Sequence, residues 1–217
     1  TYNCTISTTH NQGITLSNHT ISNVTIGSGG TLQAQNYPTG NGGNGVNAIT
    51  LKGSNGDTRT LEKLINEGTI KGKIGIENNN GSFSGTITVK TFENKKTIDG
   101  HIYMGIWGGN GGTISIENFN NEGTIKGGNY QGVYFQGDNV HIKTFENTGF
   151  ISGNGDNSQA GGLYTGGGVS MSGGTIETFK NSGTIESTDP SGAAIKIRTE
   201  YSNPSSITHF TNEGTIK

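Results

Sequence analysis

The chain repeats one short phrase, and its clearest copy is Phe119-Asn120-Asn121-Glu122-Gly123-Thr124-Ile125. The other copies have Phe (once Leu) first, Asn third, Gly (once Lys) fifth and Ile last, and they are residues 64–70, 92–98, 145–151, 179–185 and 210–216. The asparagines at the third position are 28, 27, 26, 34 and 31 residues apart, so the repeating unit has about 27 residues with occasional insertions. A period of this size indicates a solenoid or a propeller.

Each unit has a local period of two residues and is rich in Thr, Ile, Val and Phe, which predicts strands. Residues 86–92 alternate cleanly; a turn at Asn-x-Gly and a short Thr-Ile strand follow in each unit. A third strand is marked by a small residue before an aliphatic one, at residues 75–76, 105–106, 132–133, 162–163 and 194–195, and loops such as 108–112 and 165–174 follow it. A propeller blade needs about 40 residues. The sequence therefore predicts an all-β, right-handed parallel β-helix with three short strands in each of about eight coils.

Stacked coils place equivalent residues of the phrase in vertical register. We expect an internal aromatic stack above Leu64, formed by Phe92, Phe119, Phe145, Phe179 and Phe210. We also expect a side-chain amide ladder at one corner, formed by Asn66, Asn94, Asn121, Asn147, Asn181 and Asn212. The glycine two residues after Asn is expected to supply a positive φ, so Lys96, which replaces it in one copy, predicts a local distortion.

Composition narrows the class of protein. Of 217 residues 39 are Gly, only 28% are hydrophobic, and the net charge of −2 is too small for the self-repulsion typical of disorder. The sequence has no apolar run long enough to span a bilayer and no basic stripe for nucleic acid, so we expect neither a membrane helix nor nucleic-acid binding. We interpret residues 1–217 as a single β-helix domain, less regular over 1–63 and regular over 64–217, and expect it to be a fragment of a longer protein.

Residues 45–217 resemble the passenger domain of Gram-negative autotransporters (type V secretion), particularly the repeats of vacuolating-cytotoxin-like and adhesin passengers. The phrase Phe-x-Asn-x-Gly-Thr-Ile, the Gly-, Asn- and Thr-rich coils, the single Cys4 and the low charge carry this resemblance. It implies a signal peptide and an outer-membrane β-barrel in the full protein, and an extracellular or cell-surface location for this segment. In that family the β-helix is commonly a stalk, with adhesion, toxicity or protease activity in loops or appended domains.

The resemblance implies that the partner is a host cell-surface glycan or protein, and that membrane attachment is made only by the barrel. Open sheet edges at the first and last coils also predict either capping by neighbouring sequence or self-association. A segment of a secreted toxin is a further alternative that the resemblance leaves open.

The sequence gives little sign of catalysis. We expect no enzyme activity, no cofactor and no metal, because the five histidines have no partner at metal-ligand spacing and Gly27-Ser28-Gly29-Gly30 fits an ordinary turn. The alternative is a polysaccharide lyase or hydrolase, which needs clustered carboxylates. Glu67, Glu122 and Glu213 share one repeat position but do not fall on adjacent coils.

Aromatic residues mark the candidate binding site. One position after the aliphatic residue of the third strand, successive coils carry Glu77, Trp107, Tyr134, Tyr164 and Lys196. Outward rings of Trp107, Tyr134 and Tyr164 in vertical register would form an aromatic platform able to stack on sugars or anchor a protein. The alternative is that these rings form a cross-strand ladder or are covered by the adjoining Gly-rich loops.

Overall fold

A computed structural model describes residues 2–17, 21–37, 46–53, 56–78, 84–106, 111–154, 166–199 and 204–217. Within these ranges the chain forms 23 strands, β1 to β23, in three parallel sheets. The first sheet contains β1 (Tyr2–Ile6), β4 (Ile21–Ile26), β7 (Thr58–Asn66), β10 (Thr86–Asn94), β13 (Thr113–Asn121), β16 (Val140–Asn147), β19 (Thr175–Asn181) and β22 (Ser206–Asn212). The second sheet contains β2 (Thr9–His10), β5 (Thr31–Gln33), β8 (Thr69–Lys71), β11 (Thr97–Asp99), β14 (Thr124–Lys126), β17 (Phe150–Gly153), β20 (Thr184–Ser187) and β23 (Thr215–Ile216). The third sheet contains β3 (Ile14–Leu16), β6 (Asn47–Lys52), β9 (Lys73–Asn78), β12 (Ile102–Ile106), β15 (Val133–Gln136), β18 (Gly166–Ser172) and β21 (Ala193–Arg198).

Three consecutive strands make one coil, and each strand pairs in parallel with the strands three places before and after it. Coils 1 to 7 each supply one strand to every sheet, and coil 8 consists of β22 and β23. The predicted right-handed parallel β-helix with three strands per coil is confirmed. Its backbone groups pair along the axis, so a chain with few apolar residues still forms extensive ordered structure.

The interior is filled by columns of identical or similar side chains. The five phenylalanines of the phrase are stacked, with centroid separations of 4.6, 4.6, 4.8 and 5.1 Å from Phe92 up to Phe210. Leu64 lies beneath Phe92 in the same register, and Val24 and Cys4 continue the column into the first two coils. The isoleucines of the second sheet form a parallel buried column, with Ile70, Ile98, Ile125, Ile151 and Ile185.

The asparagines of the phrase form a continuous ladder at the corner between the first and second sheets. The Nδ2 of each donates to the Oδ1 of the next at 2.7 Å, from Asn66 to Asn212. All are buried except Asn212. The side chain of Asn121 also donates towards the carbonyl oxygens of Gly123 and Phe150, so the ladder satisfies backbone groups of the corner.

The phrase glycines do not have the positive φ that the sequence suggested. Glycine is needed here because there is no room for a side chain. A Cβ on Gly149 would overlap the carbonyl oxygen of Gly123 in the coil before, and a Cβ on Gly183 or Gly214 would overlap the equivalent carbonyl oxygen of its own preceding coil. The amide of Gly149 donates to the Asn121 carbonyl at 3.0 Å across this close approach.

Lys96 stands in the glycine position of a corner whose backbone hydrogen bonds differ from those of the later coils. The Gly149 amide donates to the carbonyl of Asn121 in the coil before. Among the described backbone bonds, the Lys96 amide makes no equivalent bond to the Asn66 carbonyl. The bond from Thr97 N to Gly68 O is also long, at 3.3 Å, whereas the equivalent bond from Thr184 to Gly149 is 2.8 Å. This corner therefore has a longer bond between coils, as a distortion predicts, although Lys96 does not have a positive φ.

Substitution of Gly149 by alanine tests this crowding. We expect Gly149→Ala to lower the free energy of unfolding by about 1–3 kcal/mol, because its methyl group meets a backbone carbonyl that both adjoining coils hold in place. Lys96→Ala is the matched control in the same corner position and should change it by less than about 0.5 kcal/mol. Urea unfolding followed by circular dichroism measures both. Equal losses for the two variants would contradict the crowding explanation.

Candidate functional site

The structure corrects the register of the third sheet, on which the aromatic platform depended. Tyr134 pairs with Tyr103 in the coil before and with Ser170 in the coil after. The predicted alignment of Trp107 and Tyr164 with Tyr134 is therefore wrong, and both residues lie outside the described ones. Residues 166–172, interpreted from the sequence as part of a loop, are strand β18 of the third sheet.

Tyr103 and Tyr134 lie on the outer face of the third sheet but are buried, with 8% and 7% of their surface exposed. Their ring centroids are 5.7 Å apart and the rings are tilted by 47°. The Tyr103 hydroxyl donates to Gln136 Oε1 at 3.0 Å, and the ring covers Gly105, where an added Cβ would overlap it. Both rings are thus packed against the sheet, which is the cross-strand arrangement and not an open surface for stacking on a sugar.

A charged cluster lies beside these rings, one coil towards the N-terminus. Lys73 and Glu77 are both on β9 and point outward on either side of Gly75, and Lys73 Nζ is 3.1 Å from Glu77 Oε2. The Lys73 ammonium also lies 5.2 Å from the centroid of the Tyr103 ring. Asn47 of β6 donates to Glu77 Oε1 at 3.4 Å. Sequence reasoning missed this cluster, although period 2 already places Lys73, Gly75 and Glu77 on one face.

A buried histidine, His101, lies next to the third sheet. His101, immediately before β12, is stacked on Tyr130 of the next coil with centroids 4.6 Å apart. Its Nδ1 has no hydrogen-bond partner among the described residues. Burial, helped by the positive charge of Lys73, lowers the pKa of His101 to about 3.

The low pKa of His101 predicts a loss of stability in acid. Between the ordinary histidine pKa of 6.5 and the folded value of about 3, the unfolded chain binds a proton that the folded chain does not, so the free energy of unfolding falls as pH falls through this window. We expect His101→Phe, which keeps a ring against Tyr130, to flatten the dependence of urea stability on pH. The same replacement of the exposed His209 is the control. An unaltered slope in His101→Phe would refute the assignment.

The outer face of the first sheet is polar and exposed, and one of its columns alternates in charge. The column consists of Glu62, Lys90, Glu117, Lys143 and Glu177. Lys90 Nζ is 2.8 Å from Glu62 Oε2, and this hydrogen bond raises the pKa of Lys90. At the corner next to it, Lys95 is 3.3 Å from Glu67. Because bases separate the acids, this face offers a mixed-charge surface, and exposed pairs of this kind contribute little to stability.

The second sheet also presents a largely half-buried outward column, formed by threonines with one phenylalanine. Its members are Thr9, Thr31, Thr69, Thr97, Thr124, Phe150, Thr184 and Thr215. Beside it, Lys217 Nζ is 3.0 Å from Glu186 Oε2. Exposed and half-buried side chains therefore lie on the outer faces of the first and second sheets, whereas Glu77, Tyr103 and Tyr134 on the outer face of the third sheet are buried.

Comparisons of the chain with protein-family models, with curated proteins and with solved structures find no match. In the part of the chain that the structure describes, no three His, Cys, Asp or Glu side chains are grouped so that they could hold a metal ion. The described residues also include no helix of the length and apolarity needed to cross a membrane.

Proposed function

We propose that this chain is an extracellular, β-helical stalk or adhesin segment of an autotransporter passenger, which carries outward faces and loops that contact a host cell surface. The observation that supports it most is the continuous stacking of the eight coils in parallel sheets. At a strand spacing of about 4.8 Å these coils extend for about 38 Å along one axis. Such a rod separates the structures at its two ends and repeats each outward side chain at regular intervals.

The surfaces available for contact are the outer faces of the first and second sheets and the loops between strands. Exposed Lys, Glu, Asn and Thr side chains in register provide hydrogen-bond donors and acceptors along the rod. These groups suit a polar partner, a host glycan or the polar surface of a host protein. The buried Tyr103 and Tyr134 give the third sheet no part in such contact as an aromatic surface.

The test has a location arm and a binding arm. In the bacterium that encodes the protein, antibody raised against this chain should label intact cells, and external protease should remove the label. Labelling that requires cell lysis would contradict the proposal.

In the binding arm, the purified chain should bind host cells or a glycan panel, and charge reversal at Lys90 and Lys143 should weaken binding more than the same change at Lys196, which is half-buried on the third sheet. Turnover of a polysaccharide by the chain would favour the enzyme alternative.

A further inference from the structure

The cluster at Lys73 combines a primary amine, an amide and a carboxylate on neighbouring coils. Asn47 and Lys73 are register partners in the paired strands β6 and β9. Glu77 Oε1 accepts hydrogen bonds from both, at 3.4 Å from Asn47 Nδ2 and 3.2 Å from Lys73 Nζ. The side chains of Lys73 and Glu77 are only 14% and 5% exposed. An amine and a carboxamide are thus held against the same carboxylate oxygen, largely out of water.

This arrangement has the parts needed for attack of an amine on an amide. A lysine becomes a nucleophile when it loses its proton, and a carboxylate within hydrogen-bond distance can take that proton. Asn47 Oδ1 is buried and has no hydrogen-bond partner among the described residues. The carbonyl of this amide is therefore not stabilised in its unreacted form.

Backbone pairing fixes the reacting groups without any further folding step. The two strands hold Asn47 opposite Lys73, so the reaction occurs within one folded molecule and avoids the entropic cost of bringing the groups together. Gly75 makes room for the carboxylate: a Cβ at this position would lie 3.0 Å from Glu77 Oε1 and 3.3 Å from Lys73 Cε. A glycine between the two charged residues lets their side chains lie flat over the strand.

We propose that Lys73 and Asn47 form an intramolecular isopeptide bond, with Glu77 as the proton carrier. Glu77 takes one proton from the Lys73 ammonium, and the free amine attacks Asn47 Cγ, forming the new C–N bond. A proton from the attacking nitrogen passes through Glu77 to Nδ2, the Cγ–Nδ2 bond breaks, and ammonia leaves. The proton first held by Glu77 departs with it as ammonium, so the carboxylate is regenerated. No oxidant, metal or second substrate is consumed.

The product joins coil 2 to coil 3, where the less regular part of the chain meets the regular phrase repeats. The bond would bridge β6 and β9 covalently, in addition to their backbone hydrogen bonds. A rod that must resist force or protease at a cell surface gains from a link that cannot be broken by local unfolding.

Mass spectrometry of the folded full chain tests the proposal. The intact chain should be lighter than its sequence by one ammonia. Because trypsin does not cleave after an acylated lysine, digestion should yield peptide 1–52 joined to peptide 72–90. Succinimide formation at Asn-Gly also releases ammonia, so the joined peptide is the deciding observation. Recovery of free peptides 1–52 and 74–90 in full yield from folded wild-type chain would overturn the proposal.

Three variants separate the roles, each checked for folding by circular dichroism. Lys73→Arg and Asn47→Ala should abolish the joined peptide, because each removes one reacting group. Glu77→Gln keeps both groups and should slow formation of the joined peptide by about 100-fold or more. Lys90→Arg, at the exposed ion pair with Glu62, is the matched control and should leave the joined peptide at the wild-type level. Wild-type yield in Glu77→Gln would overturn the role of the carboxylate, and the wild-type measurement stands whether or not a variant folds.

Discussion

Phe145→Ala is expected to lower the free energy of unfolding by about 3–5 kcal/mol. The ring is fully buried and stacked between Phe119 at 4.6 Å and Phe179 at 4.8 Å. Phe135 of the third sheet meets it edge-on at 6.2 Å. The cavity left by alanine cannot collapse along the axis, because backbone hydrogen bonds fix the spacing of the coils above and below.

The matched control is Phe210→Ala, the same substitution in the same column. Phe210 is 50% exposed and stacks only on Phe179 among the described rings, so its loss should cost less than about 1 kcal/mol. Urea unfolding gives both values, and hydrogen exchange should show loss of protection centred on coil 6 in Phe145→Ala alone. Equal destabilisation at the two positions would mean that the stack is not an axial core.

The first two sheets could be predicted from the sequence because the phrase fixes their register. It spans the end of one strand, the corner and the next strand with constant spacing, so the Phe and Asn of every copy align in one way only. The hydrogen bond from Asn121 to Asn147 and the stacking of Phe119 on Phe145 follow from that spacing. In the first two sheets, the register predicted from the repeated phrase is therefore the register in which the strands pair.

The third sheet could not be placed in the same way, because insertions of variable length flank its strands. The sequence aligned Ile106 with Ile76, whereas the structure pairs Met104 with Ile76 and Ile106 with Asn78. A slip of two residues keeps inward and outward positions unchanged, so alternation alone cannot detect it. Between β12 and β15 the slip is four residues, because Ile102 and not Ile106 pairs with Val133, and this is why the sequence aligned Trp107, and not Tyr103, with Tyr134.

The role of the phrase glycines was also beyond a local interpretation. A glycine after Asn in a turn suggests a left-handed φ. The actual constraint at Gly149 is the carbonyl of Gly123, which belongs to the preceding coil and lies 26 residues earlier in the phrase repeat. The same limit applies to Asn47 and Lys73, whose proximity depends on the pairing of two third-sheet strands. Contacts between coils that involve residues outside the phrase can be identified only once the pairing of the strands is known.

Asn121→Asp is expected to lower the free energy of unfolding by about 3–5 kcal/mol at neutral pH, because it places an uncompensated charge in the ladder. The buried Nδ2 that donates to Asn147 Oδ1 at 2.7 Å becomes an oxygen, so two acceptors face each other. Burial and this repulsion raise the pKa of the new carboxyl group above its unfolded value of about 3.9. Between those two pKa values the folded chain binds more protons than the unfolded chain, so stability falls as pH rises through the window.

Asn212→Asp is the control at the exposed end of the ladder. The new carboxylate can still accept the hydrogen bond from Asn181 Nδ2. Among the described groups, the substitution removes only the bond that Asn212 Nδ2 donates to the Gly214 carbonyl at 3.2 Å. We expect it to cost less than about 1 kcal/mol. Urea unfolding from pH 4 to 8 should show a steep fall in stability for Asn121→Asp and a shallow one for Asn212→Asp. A ladder held mainly by backbone pairing would instead give two similar, small losses, because each side-chain amide would then contribute no more than an exposed hydrogen bond.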